Sequence, residues 1–194
     1  MQKVTLKELK QMADEARENL WNIAKYVGRE PKIILHWSAG HYHQFYDDYH
    51  INIDADGSIY VSTDDLSEVL PHTWRRNTGA VGVSLACCAF ATSNNLGDEP
   101  PTNIQIETLA RVIAVLAKAF WLTIRIENIM THGEAADNMD GCYEHEPYGP
   151  DNGCERWDLA ILSNEDEWKS GGNIIRGKAK WYQENYPDGV EKHF

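Results

Sequence analysis

The chain has 194 residues, 42% of them hydrophobic and 25% charged. That is ordinary globular composition, which excludes collagen, coiled coil and extended disorder and makes one domain the expectation. Thirty acidic against 18 basic side chains leave a net charge of −12, a sign that repels phosphate backbones and anionic lipid, so neither nucleic acid nor a membrane is an expected partner.

Thr5 and Glu8 form a capping-box pattern ahead of Leu6, Leu9, Met12, Ala13, Ala16, Leu20, Ile23, Ala24 and Val27. Steps of three and four predict an amphipathic helix over about residues 5–28, ended by Gly28 and Pro31. Lys32 to Ser38 reads as a buried strand. Tyr49 to Asp54 and Ile59 to Val61 read as a hairpin around Asp56-Gly57. Ala80 to Phe90 is predicted as a central strand, and 91–101, rich in Ser, Asn and Pro, as a loop. Thr102 and Gln105 supply a second capping box for a helix carrying Ile106, Leu109, Val112, Ile113, Leu116 and Phe120. Trp121 to Met130 alternates like a strand. Thr131 to Asp158 is long, polar and glycine-containing, the kind of loop that is usually functional. A last helix is expected over 173–186. Strands with helices between them indicate an α/β protein with a mixed central β-sheet flanked by helices. The expectation is one domain over 1–194, with its core over about 31–186.

No stretch is long and apolar enough for a membrane span; the most apolar, Val112 to Leu122, contains Lys118. The first 20 residues are charged throughout and carry no apolar leader core, so synthesis in the cytoplasm without a signal peptide is expected. Cys87 and Cys88 lie in an apolar run and read as buried thiols. Cys142 and Cys154 could pair across a loop or stay free, and the absence of a leader favours reduced thiols in the producing cell.

Two of eight histidines fall at predicted strand ends: His36 after Ile33-Ile34-Leu35, and His132 after Ile129-Met130-Thr131. Sites in α/β sheets gather at strand carboxyl ends. With Asp158 at the close of the long loop, two imidazoles and a carboxylate form the ligand set of a catalytic zinc with one open position. From the residues alone, the imidazoles could equally be core or rim residues and Asp158 a helix N-cap. HExxH, GxSxG, Walker and GxGxxG patterns are absent, which removes support for a metalloprotease helix, a nucleophilic serine and a dinucleotide or phosphate loop.

His36-Trp37-Ser38-Ala39 after a β-run resembles the HxSA element of the zinc-dependent N-acetylmuramoyl-L-alanine amidases, the family of amidase-type phage lysozymes and peptidoglycan recognition proteins. Tyr49-His50-Ile51-Asn52-Ile53 with Asp56-Gly57-Ser58-Ile59-Tyr60 is similar to the family's hairpin. His72 with Asn77 to Leu85, Thr131-His132-Gly133-Glu134, and Arg156-Trp157-Asp158-Leu159 resemble three further elements in family order. The resemblance implies hydrolysis of the amide between N-acetylmuramic acid and L-alanine of peptidoglycan, with Zn2+ held by His36, His132 and Asp158. It implies Tyr49 beside the metal, Arg156 at the developing oxyanion, and His72, Asn77 and Trp37 in the substrate cleft. Some relatives carry a glutamate where Ser84 stands; Glu134 is then a substitute general base. The segment between His132 and Asp158 is longer than is usual in the family, and Asp151 and Cys154 are fallback third ligands. The expected role is a monomeric phage or prophage endolysin that acts in the cell wall or periplasm after release. The alternatives are a cytosolic muropeptide-recycling amidase and a non-catalytic peptidoglycan recognition module.

Overall fold

The computed structural model describes residues 1–92, 95–144 and 157–186. A short strand, β1 (Gln2–Val4), leads into helix α1 (Leu6–Tyr26), and the Thr5/Glu8 capping box is formed in both directions. Then follow β2 (Lys32–Trp37), the hairpin β3 (Ile51–Ile53) and β4 (Ile59–Val61), and β5 (Ala80–Leu85). Helix α2 (Asn103–Ala119) starts at its own capping box, Thr102 with Gln105. Strand β6 (Ile129–Thr131) runs directly into the short helix α3 (His132–Ala136), and α4 (Gly171–Asn185) closes the fold.

The six strands form one mixed sheet in the order β1-β4-β3-β5-β2-β6. β2, β5, β6 and β3 pair in parallel, while the hairpin and β1 add antiparallel pairs. This is the expected α/β architecture, and Gly57 turns the hairpin at φ +81, a backbone region that glycine enters without steric penalty.

Strand period two divides the sheet into two faces. Ile33, Leu35 and Trp37 of β2 join Val81, Val83 and Leu85 of β5 in the main core, with Leu9 and Leu20 of α1 and Leu109 and Ile113 of α2. Each fully buried Leu or Ile there contributes about 1.5–3 kcal/mol of transfer free energy. On the other face Ile34, Ala80 and Met130 meet Ala135 of α3 in a smaller cluster. His36 belongs to this second face, in the same row as Ser84 of β5 and Asn52 of β3.

Three expected elements differ. The strand beginning at Ala80 ends at Leu85, not Phe90: Cys88 and Phe90 adopt positive φ and leave the ladder. Of 121–130 only Ile129 and Met130 are strand, the start of β6, because the preceding residues turn on themselves through bonds such as Ile129 N–H to the Arg125 carbonyl. The segment after Thr131 is not all loop. Thr131 and Glu134 make a third capping box and start α3. Among the described residues no helix is long and apolar enough to cross a membrane.

Candidate metal centre

His36 sits near the carboxyl end of the central strand β2, and His132 is the first residue after β6. Because Leu35 is in register with Thr131, the next residue of each chain segment lands side by side. The Thr131/Glu134 box makes His132 the first helical residue. Glu134 accepts the Thr131 N–H at 2.9 Å and is held by both arms of Arg176, each at 2.7 Å.

Asp158 arrives from the opposite direction in a tight turn, with Ala160 N–H bonded to the Trp157 carbonyl and Leu159 at φ +58. Trp157 anchors that turn edge-on against Trp37, ring centres 4.5 Å apart. The first residues of α4 press on it from behind. A β-carbon on Gly171 would lie 2.0 Å from the Leu159 carbonyl, so only glycine permits this approach.

The three side chains converge. Asp158 Oδ2 lies 3.2 Å from His36 Nδ1 and 3.4 Å from His132 Nδ1, and one donor atom from each residue falls within 4.8 Å of the others. This is the one such cluster of at least three metal-ligating groups among the described residues. All three residues are buried. Burial alone would raise the Asp158 carboxyl, but His132 and His36 outweigh it and hold it well below the usual carboxylate range. The donors fit zinc in kind and in spacing: two ligands on a tetrahedral zinc with bonds of about 2.0–2.1 Å lie about 3.3–3.4 Å apart.

Around this cluster the other expected residues take distinct places. The Tyr49 ring lies 4.9 Å from the His36 ring and is partly exposed. His72 is buried, its Nδ1 3.2 Å from His36 Nε2. Its ring lies flat on β5, where a β-carbon at Gly82 would come within 2.8 Å. Burial first, then the neighbouring His36, His50 and His132, push its pKa well down, so it is neutral. Asn77 does not reach the cluster; its Oδ1 accepts the backbone N–H groups of His72 and Thr73 at 3.1 and 2.7 Å and fixes their loop. Trp37 points to the helix side of the sheet and is buried in the main core. Glu134 has its carboxylate committed to Thr131 and Arg176. Ser84 Oγ, in register beside His36, is buried with no hydrogen-bond partner among the described residues. Arg156, Asp151 and Cys154 lie outside the described residues. Cys142 is exposed and, among the described residues, forms no disulfide; Cys87 and Cys88 are buried thiols.

Two contributors carry no individual signal in the sequence. Thr73 places its hydroxyl 3.3 Å from His36 Nε2 and 2.8 Å from His72 Nδ1. The Gly171-Gly172 pair lets α4 close on the Asp158 turn and on Glu134.

The sequence profile described as N-acetylmuramoyl-L-alanine amidase matches residues 20–146, well over half of the chain. The chain belongs to the N-acetylmuramoyl-L-alanine amidase family. The match takes in His36, Tyr49, His72 and His132 and ends before Asp158, which joins the cluster by its convergence with the two imidazoles. Among solved structures, the chain is similar to the endolysin N-acetylmuramoyl-L-alanine amidase LysCS from Clostridium intestinale URNW, at 18% identity and a TM-score of 0.42, covering 56% of this chain and 72% of that one. No curated protein matches it.

Proposed function

We propose that this amidase-family chain is a zinc-dependent N-acetylmuramoyl-L-alanine amidase, acting as a single domain on the amide that joins the lactyl group of N-acetylmuramic acid to L-alanine. The observation that carries the reading is the convergence of His36, His132 and Asp158, three zinc-type donors from distant parts of the chain. A recognition module without catalysis has no need of all three.

His36, His132 and Asp158 would hold the ion. Zinc in such a site supplies a water activated near neutral pH and a Lewis acid for the scissile carbonyl. The chain does the rest. Tyr49, over the His36 ring and partly open to solvent, is placed to orient the reacting water or amide through its hydroxyl. Arg156, two residues before Asp158 in sequence, is the proposed cation for the oxyanion; a guanidinium stays charged throughout and so acts by electrostatics, not proton donation. The buried wall of Ile34, Ala80 and Met130 behind the ligands excludes water from the protein side of the site.

Purified peptidoglycan digested with the protein and analysed by mass spectrometry should show new L-alanine amino termini and intact glycan strands. New reducing sugar ends without new L-alanine amino termini would sink the amidase reading. The proposed endolysin role is tested apart from this, by co-expression with a membrane-permeabilising holin. Turbidity should clear only when both proteins are present.

A further inference from the structure

The His36 imidazole has two nitrogens with different surroundings. Nδ1 faces Asp158. Nε2, on the far side of the ring, faces Thr73 Oγ1 at 3.3 Å and His72 Nδ1 at 3.2 Å, and those two atoms are 2.8 Å apart. Two assignments of protons close this triangle, and only the one with the His36 proton on Nε2 leaves Nδ1 a lone pair for an ion. His36 Nε2–H donates to the Thr73 hydroxyl, and that hydroxyl donates to His72 Nδ1. The ring proton of His72 then resides on its buried Nε2. The triangle is rigid, because Asn77 Oδ1 clamps both backbone N–H groups of its loop and the absent side chain of Gly82 lets the His72 ring lie on β5.

We infer that Thr73 and His72 are positioning residues for the metal centre: they fix His36 as its Nε2–H tautomer and aim Nδ1 at the ion. The inference rests on the zinc reading and goes beyond it, since it moves His72 from the substrate cleft to the back of a ligand and adds a residue, Thr73. The physical reason is general. A ligating histidine presents a lone pair to the metal only if its proton sits on the other nitrogen, and an acceptor there both selects that tautomer and stops the ring rotating.

The test reads metal affinity and needs no substrate. The zinc dissociation constant is measured by chelator competition for the wild type and for Thr73→Val, Thr73→Ser, His72→Ala and His72→Asn, and the visible spectrum of each cobalt derivative is recorded. Thr73→Val and His72→Ala should bind zinc about 10- to 100-fold more weakly, with displaced cobalt bands. Thr73→Ser keeps the hydroxyl and His72→Asn can place an oxygen where Nδ1 lies; both should stay near wild type. If Thr73→Val does not fold, as judged by circular dichroism, the His72 pair decides alone. Equal affinities in all variants, or Thr73→Ser weakened as much as Thr73→Val, would overturn the inference. A wild type that binds no zinc overturns both this inference and the metal reading beneath it. Tight zinc without cleavage of peptidoglycan overturns only the substrate assignment.

Discussion

A few side chains carry the chemistry here, and each has a separable consequence. Among the described residues Asp158 is the only carboxylate in the donor cluster, and both imidazoles face it. Asp158→Asn keeps the shape but removes the anion, so zinc content should fall from about one per chain to essentially none, measured by elemental analysis after gel filtration; full zinc in the variant would put the third ligand elsewhere. Tyr49→Phe makes the opposite split. It removes only a hydroxyl beside the cluster, so zinc should remain and kcat should drop by about 100-fold, the low end for a group that handles a proton. His36 and His132 are legible in the sequence because strand-end position shows in the local pattern. Glu134 is legible too, but in a different role. Its spacing from Thr131 is that of a capping box, and the carboxylate is consumed by that box and by Arg176. The orienting partners of His36 are not legible as such, because Thr73 and His72 act through contacts 36 and 37 residues away in sequence.

Elements deliver those side chains, and the deliveries are testable by changing what holds the elements together. α4 touches the Asp158 turn only because Gly171 lacks a side chain: a β-carbon there would meet the Leu159 carbonyl at 2.0 Å, while the Gly171 N–H bonds the Ala160 carbonyl at 3.0 Å. Gly171→Ala should therefore destabilise by about 1–3 kcal/mol through overpacking and weaken zinc binding as well, read from urea midpoints and chelator competition. Gly177, in the same helix, is exposed and its β-carbon would meet nothing within 4 Å. Gly177→Ala should stabilise by about 0.5–1 kcal/mol from helix propensity alone, and leave zinc affinity unchanged. A loss from both substitutions would show that α4 is sensitive to any change, not to the contact with the turn. The same distinction explains how far sequence patterning reaches. α1 and α2 are legible because capping box and apolar stripe are local and agree. The 121–130 segment misleads because alternation of Leu122, Ile124 and Ile126 reports burial, and buried residues can lie in turns as well as strands. α3 is hidden in a polar stretch too short to show periodicity, with Thr131 and Glu134 as its one local mark.

At the scale of the whole molecule, the face that bears the site is tied to the sheet by a buried ion cluster. Lys32 opens β2, Arg76 lies in the loop that carries His72 toward β5, and Asp140 follows α3. Asp140 accepts Lys32 at 3.0 Å and Arg76 at 2.7 and 3.1 Å, and all three side chains are at most 4% exposed. Burial alone would raise the Asp140 carboxyl, but the hydrogen bonds and charges of Arg76 and Lys32 outweigh it and hold it well below the usual carboxylate range. Asp140→Asn leaves two buried cations without their anion and should lower stability at pH 7 by about 3–5 kcal/mol, taken from urea unfolding at unchanged m-value. The pH dependence has a definite sign. A carboxyl whose folded pKa is depressed contributes stability that is complete above its unfolded value of about 3.9 and is lost as pH falls toward the folded value. The gap between wild type and Asp140→Asn should therefore be flat from pH 7 down to about 5 and shrink below about 4, as the unfolded wild-type chain takes up a proton that the folded carboxylate still excludes. A gap that stayed constant to pH 3 would mean that the substitution acts through packing, and that the ion cluster is not what anchors the site-bearing loops to β2.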